Sequence, residues 1–144
     1  MKGKLLLILF SFFLLSCEQE LARVNLLQNN SKEIFFELEN EEVVNLYVNI
    51  DVEYQENPSF VYHCEFYQGG FLLFEGGTDP LVTTENKSES LVTKNGITHW
   101  KFYGKLDGNL TASMDGEYSI KTTFLKNDNP NVKIHKAEIV LVKE

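Results

Sequence analysis

The sequence predicts an all-β protein, a two-sheet antiparallel sandwich of about eight strands, and three observations predict it. From residue 33 onward apolar residues recur at every second position, the period of a strand with one face buried. These short runs are separated by Gly, Asn, Asp and Pro, residues that supply turn geometry. After the first sixteen residues no long stretch carries the 3.6-residue period of an amphipathic helix.

The elements follow in order. "EIFFEL" (33–38) opens the series, and "VVNLYVNIDVEY" is the clearest strand. There Val44, Leu46, Val48, Ile50, Val52 and Tyr54 point one way, and Asn45, Tyr47, Asn49, Asp51 and Glu53 the other, toward water. "FVYHCEFY" (60–67) sets Phe60, Tyr62, Cys64 and Phe66 against Val61, His63, Glu65 and Tyr67. Gln68-Gly69-Gly70 suits a tight hairpin into "FLLFE" (71–75). "GGTDPLVTTENKSES" (76–90) is the longest polar connection and reads as a surface crossover, with a recognition loop as the alternative. In "THWKFYGKL" (98–106) Trp100, Phe102 and Leu106 share the core phase. A turn at Asp107-Gly108, "NLTAS", a second turn at Asp115-Gly116 and "EYSIKTTFL" come next. Beyond the open loop "NDNPN" (127–131), "VKIHKAEIVLVK" shifts phase near Lys136 and Ala137, as a β-bulge requires.

In "DGEYSIK" a glycine stands two residues before a core tyrosine on the penultimate strand, and "AEIVLVK" ends the chain as a final strand. Both resemble signatures of immunoglobulin-like and jelly-roll modules. The resemblance implies architecture and says nothing of activity.

The chain begins with Lys2 and Lys4, runs apolar from Leu5 to Leu15 except for Ser11, and places small Ser16 before Cys17. That is the layout of a secretory signal peptide, residues 1–16. Its apolar part is about eleven residues, whereas a spanning helix needs roughly twenty. Leu14-Leu15-Ser16-Cys17 resembles the bacterial lipobox, departing at Leu15 from the small or β-branched residue preferred there. The resemblance implies that Cys17 is lipidated and heads the mature chain, with attachment made permanent by its acyl chains. Glu18 and Glu20 are similar to the surface-export signals of Bacteroidota lipoproteins. Residues 17–32, polar and ending in Asn29-Asn30-Ser31, read as a lipid-anchored tether, with a short helix or a first edge strand lying on the domain as the alternative, and residues 33–144 as the sandwich domain.

Charge and cysteine content narrow the function. The formal net charge is −8, and it becomes more negative once Lys2 and Lys4 leave with the signal. Such a body repels nucleic acid and anionic head groups, so contact with the membrane is expected through acyl chains alone. Cys17 and Cys64 are the two cysteines. With Cys17 acylated no intramolecular disulfide can form, and Cys64 reads as a small core residue.

No phosphate-cradling glycine loop, nucleophile elbow or zinc helix motif occurs, and no cofactor is implied. His63 and Cys64 are adjacent, but successive strand residues face opposite ways and cannot form a nucleophile–base pair. His63, His99 and His135 fall one to a strand without ligand spacing, so no transition-metal site is expected. Asp79, Asp107, Asp115 and Asp128 lie in loops of the kind calcium uses, yet in no ordered calcium loop. The candidate ligand-binding residues are Tyr47, Tyr67 and Tyr103 with Asn45 and Asn49, all in the polar phase of strands. On one exposed face they would suit sugars, whose C–H faces lie on rings while hydroxyls bond amides. Ordinary cross-strand tyrosine pairing is the alternative. The expectation is a noncatalytic, lipid-anchored lipoprotein of the bacterial outer membrane serving as an accessory or partner-binding subunit of the envelope. A carbohydrate-binding surface lipoprotein and an immunity or inhibitor lipoprotein are the alternatives.

Overall fold

A computed structural model describes residues 18–56, 58–80 and 85–144. The signal segment 1–16 and the lipidation candidate Cys17 lie outside the described residues. Nine strands are present among those described: β1 (Gln19–Asn25), β2 (Ser31–Leu38), β3 (Val43–Tyr54), β4 (Phe60–Gln68), β5 (Phe71–Thr78), β6 (Glu85–Lys94), β7 (Ile97–Thr111), β8 (Gly116–Lys126) and β9 (Val132–Lys143). They form two antiparallel sheets, one of five strands in the order β1-β9-β3-β7-β6 and one of four in the order β2-β8-β4-β5. With β6 set aside, the remaining eight have the orders β1-β9-β3-β7 and β2-β8-β4-β5, alternating between sheets except at the β4–β5 hairpin as in a jelly roll, which selects that topology over the immunoglobulin-like one. In such a roll β7 stands opposite β5, and β6 overhangs the four-stranded sheet.

The alternation read from β3 holds on its core side. Val44, Val48, Ile50 and Val52 are at most 1% exposed and meet Tyr62, Tyr118 and Ile120 from the other sheet in one hydrophobic core. Burying each such aliphatic side chain contributes about 1.5–3 kcal/mol, and β-branched residues suit the pleat that presents them. Trp100, Phe102 and Leu106 lie in the same core. Gly69 (φ 54°) and Gly70 (φ 85°) form the turn that pairs Gln68 with Phe71, a two-residue hairpin that needs positive φ at both positions. The phase shift in β9 is a bulge: Asp51 pairs with Lys136 and Val52 with Ile134, leaving His135 between them.

Three expectations are corrected. Residues 19–25 are the edge strand of the alternative reading and not part of a tether: β1 pairs with β9 from Gln19↔Lys143 to Asn25↔Glu138. Its inward positions bury Val24, and Leu26 just beyond continues the alternation while Leu27 is left exposed. The residue-76–90 connection is mostly strand, since Gly76–Thr78 ends β5 and Glu85–Ser90 begins β6. The part between includes residues 81–84, outside the described set. Asp107-Gly108 is a bulge inside β7, not a turn, with Gly108 at φ 92°. Asn45 pairs with Asn109 and Tyr47 with Lys105, so β7 has two extra residues opposite Leu46, and Asn109–Thr111 of "NLTAS" prolong the same strand.

Candidate functional site

The outward face of the five-stranded sheet holds most of the residues singled out from sequence. Register sets Tyr47 beside Val140 of β9 and Lys105 of β7, and Asn49 beside Glu138 and Tyr103. The Tyr47 and Tyr103 rings stack with centroids 5.6 Å apart and planes 19° from parallel. This end of the face is not wet, however: Asn45 is 0% and Tyr47 2% exposed. The reason lies in "IVLV" (139–142), which is apolar in both phases and so sets Val140 and Val142 next to them on the outer side. The Asn45 amide makes no hydrogen bond among the described residues. Tyr67 does not join this group. It stands on β4, on the outer face of the other sheet, where its hydroxyl donates to Glu65. Alternation tells which face of a strand a residue takes, but not which sheet owns the strand.

Farther along the same five-stranded face the side chains are ionic. Asp51 accepts from His99 at 2.6 Å and lies 3.4 Å from Lys101. Burial works to raise the Asp51 carboxyl, but His99 and Lys101 outweigh it and hold it below its ordinary value. Asn49 Nδ2 donates to Glu138 at 3.0 Å, and Arg23 of β1 reaches the same carboxylate at 3.1 Å. Glu53 meets His135 at 3.3 Å, and the rings of His99 and His135 come within 6.0 Å. That meeting was not read from sequence. It needs both the β7–β3–β9 order and the bulge at His135, and only the phase shift near Lys136 hinted at it. Each acid here is matched by a base, an arrangement that fixes side chains and offers a patterned polar surface.

Cys64 and His63 take opposite faces of β4. Cys64 is 5% exposed, its Sγ lies 3.8 Å from Thr122 Oγ1, and burial pushes its thiol up to about 11. His63 lies outside, 4.0 Å from Glu65 and 3.9 Å from Glu75. A protonated thiol facing the core cannot take its proton relay from a ring on the other side of the sheet. Among the described residues no group of three or more His, Cys, Asp or Glu comes together to hold a metal ion. Asp115 instead accepts the Asn40 N–H at 2.7 Å, tying the β2–β3 and β7–β8 connections together.

The edge of the four-stranded sheet carries a further feature. β5 is the outer strand of its sheet, and Phe71, Leu72, Leu73 and Phe74 are 79%, 52%, 43% and 44% exposed. Four consecutive apolar residues on a strand edge present both unpaired backbone groups and hydrocarbon to water. Compared with protein-family models, curated proteins and solved structures, the chain finds no match.

Proposed function

We propose that this chain is a noncatalytic, lipid-anchored lipoprotein of the bacterial outer membrane whose sandwich is an accessory or partner-binding subunit of the envelope. The observation that carries the binding role is the exposed apolar run Phe71–Phe74 on the edge of β5. A partner that covers it gains roughly 25 cal/mol for each Å² of apolar surface removed from water. The anchor rests on Leu14-Leu15-Ser16-Cys17, and with β1 starting at Gln19 only Glu18 separates that cysteine from the sheet. Under this proposal the domain is held close against the bilayer and meets its partner there. The noncatalytic role is supported by the buried, protonated Cys64 and by histidines that each face a carboxylate.

Growth of producing cells on radioactive palmitate tests the anchor. The wild-type protein should take up label and Cys17→Ala should not. An unlabelled wild type, or a labelled variant, refutes the anchor.

A further inference from the structure

The two sheets are unequal, and the missing place is specific. β6 forms the last strand of the five-stranded sheet, and in a jelly roll of this order β7 faces β5, which leaves β6 with no strand of the four-stranded sheet opposite it among the described residues. Leu91, whose partner Trp100 faces the core, is accordingly 57% exposed although it shares that inward phase. The vacant position is the one a fifth strand would take on the free edge of β5.

Beside that edge the sandwich is open. The first β6–β7 pair is Glu85↔Lys105, so among the described residues β7 has no β6 partner beyond that point, where the Asp107-Gly108 bulge begins. A slot of about 160 Å³ enters the core here, lined by Leu46, Tyr62, Phe66, Phe74 and Leu106. Gly76 keeps it clear: it pairs with Cys64, so a side chain there would point inward, and a Cβ would meet nothing within 4 Å. The size matches a known apolar cavity of about 150 Å³ that accepts a benzene ring.

Tyr62, one of the residues around the slot, also carries an unmet polar group, which the slot does not reach. The Tyr62 hydroxyl is buried, with the residue 1% exposed, and has no hydrogen-bond partner among the described residues. Burial pushes its pKa far up, so at neutral pH it keeps its proton and offers a donor. A buried hydroxyl without an acceptor is costly.

We propose that the free edge of β5 is a docking site for an extended, basic peptide segment of a partner protein. The segment adds as a fifth strand and sends one apolar side chain into the slot beside Phe74 and Gly76. Backbone groups along β5 give the strand its register, and alternate residues face the slot and Leu91. Charge selects this occupant over a second copy of the chain. Glu75 is exposed on the outer side of β5, 3.9 Å from His63, and Asp107 borders the slot. The nearby Lys121 is already 3.3 Å from Glu65. Two copies, each with net charge −8, would bring Glu75 toward Glu75, whereas lysines between the apolar residues of a partner strand would meet it favourably.

This inference rests on the partner-binding half of the proposed function and is independent of the lipid anchor. Its test is selection of random ten-residue peptides displayed on phage against the purified, immobilised protein. Enriched sequences should alternate apolar and basic residues. Gly76→Val, which fills the slot from an edge-strand position, should weaken the best synthetic peptide about tenfold. Failure to enrich any peptide overturns the proposal, as does enrichment of peptides without basic residues or with undiminished affinity for Gly76→Val. Peptide binding by a protein that takes up no palmitate removes the anchor and keeps the site. Palmitate uptake without peptide binding does the reverse.

Discussion

Replacing Trp100 by alanine removes the largest side chain of the core and should bring the fold close to its limit. Trp100 is 3% exposed, flanked by Val52 on β3 and Leu91 on β6, and stacked on Phe102 with ring centroids 5.2 Å apart. Its indole N–H donates to Glu89 Oε1 at 2.7 Å. A buried indole withdraws about 200 Å² from water, worth about 5 kcal/mol at 25 cal/mol per Å², and large-to-alanine changes of aromatic residues cost about 3–5 kcal/mol. Domains of this size commonly have about 5–15 kcal/mol in total, so the variant should melt roughly 10–20 °C below wild type. Trp100 is the only tryptophan, so melting is followed by far-ultraviolet circular dichroism in both proteins. Trp100→Phe retains most of the packing and loses the bond to Glu89, costing about 1–3 kcal/mol. Lys101→Ala, at a side chain 58% exposed, should cost less than about 1 kcal/mol. In wild type the emission should be blue-shifted and move red on unfolding. A Trp100→Ala protein that melts within a few degrees of wild type, or a native emission typical of indole in water, refutes this packing.

Two further outcomes concern titration and reactivity. Because His99 and Lys101 hold Asp51 below its ordinary 3.8, its stabilisation is complete above that value and is lost as the pH falls through the lower folded value. Asp51→Asn should therefore flatten the acid limb of a plot of urea midpoint against pH, and parallel acid limbs in variant and wild type would contradict the pairing. In a Cys17→Ser background, Cys64 should react with a disulfide reagent only as fast as the protein unfolds, because its thiol is buried and pushed up to about 11. Rapid labelling in native buffer at neutral pH would show the thiol reachable from the slot.

β3 was legible residue by residue on its core side because its apolar phase is unbroken from Val44 to Tyr54. The same strand shows where alternation stops informing. Asn45 and Tyr47 read as wet, yet they lie in the middle of a five-stranded sheet beside Val140 and Val142, a neighbourhood that register creates. β6 escaped notice because an edge strand with no sheet opposite needs few apolar residues, and "ENKSESLVTK" has just Leu91 and Val92. Asp107-Gly108 misled because positive φ serves a bulge as well as a turn. The tyrosine platform failed for a related reason: Tyr67 and Tyr103 have the same phase on strands of different sheets. Neither the slot nor the vacant strand place can be read from any one segment, since both follow from how β5, β6 and β7 end relative to one another.

The pairing of β1 with β9 bears on how the chain is completed. A ribosome, or an export channel fed from the N-terminus, delivers Gln19 long before Lys143, and in the folded sheet β1 has β9 as its neighbour. Until the final segment emerges, the strand nearest Cys17 has no ladder to join, whereas the β4–β5 hairpin can form at once across Gly69 and Gly70. β9 also separates β1 from β3, so its loss cuts β1 away from the rest of the sheet. A chain that stops short of Val132 therefore loses its beginning along with its end.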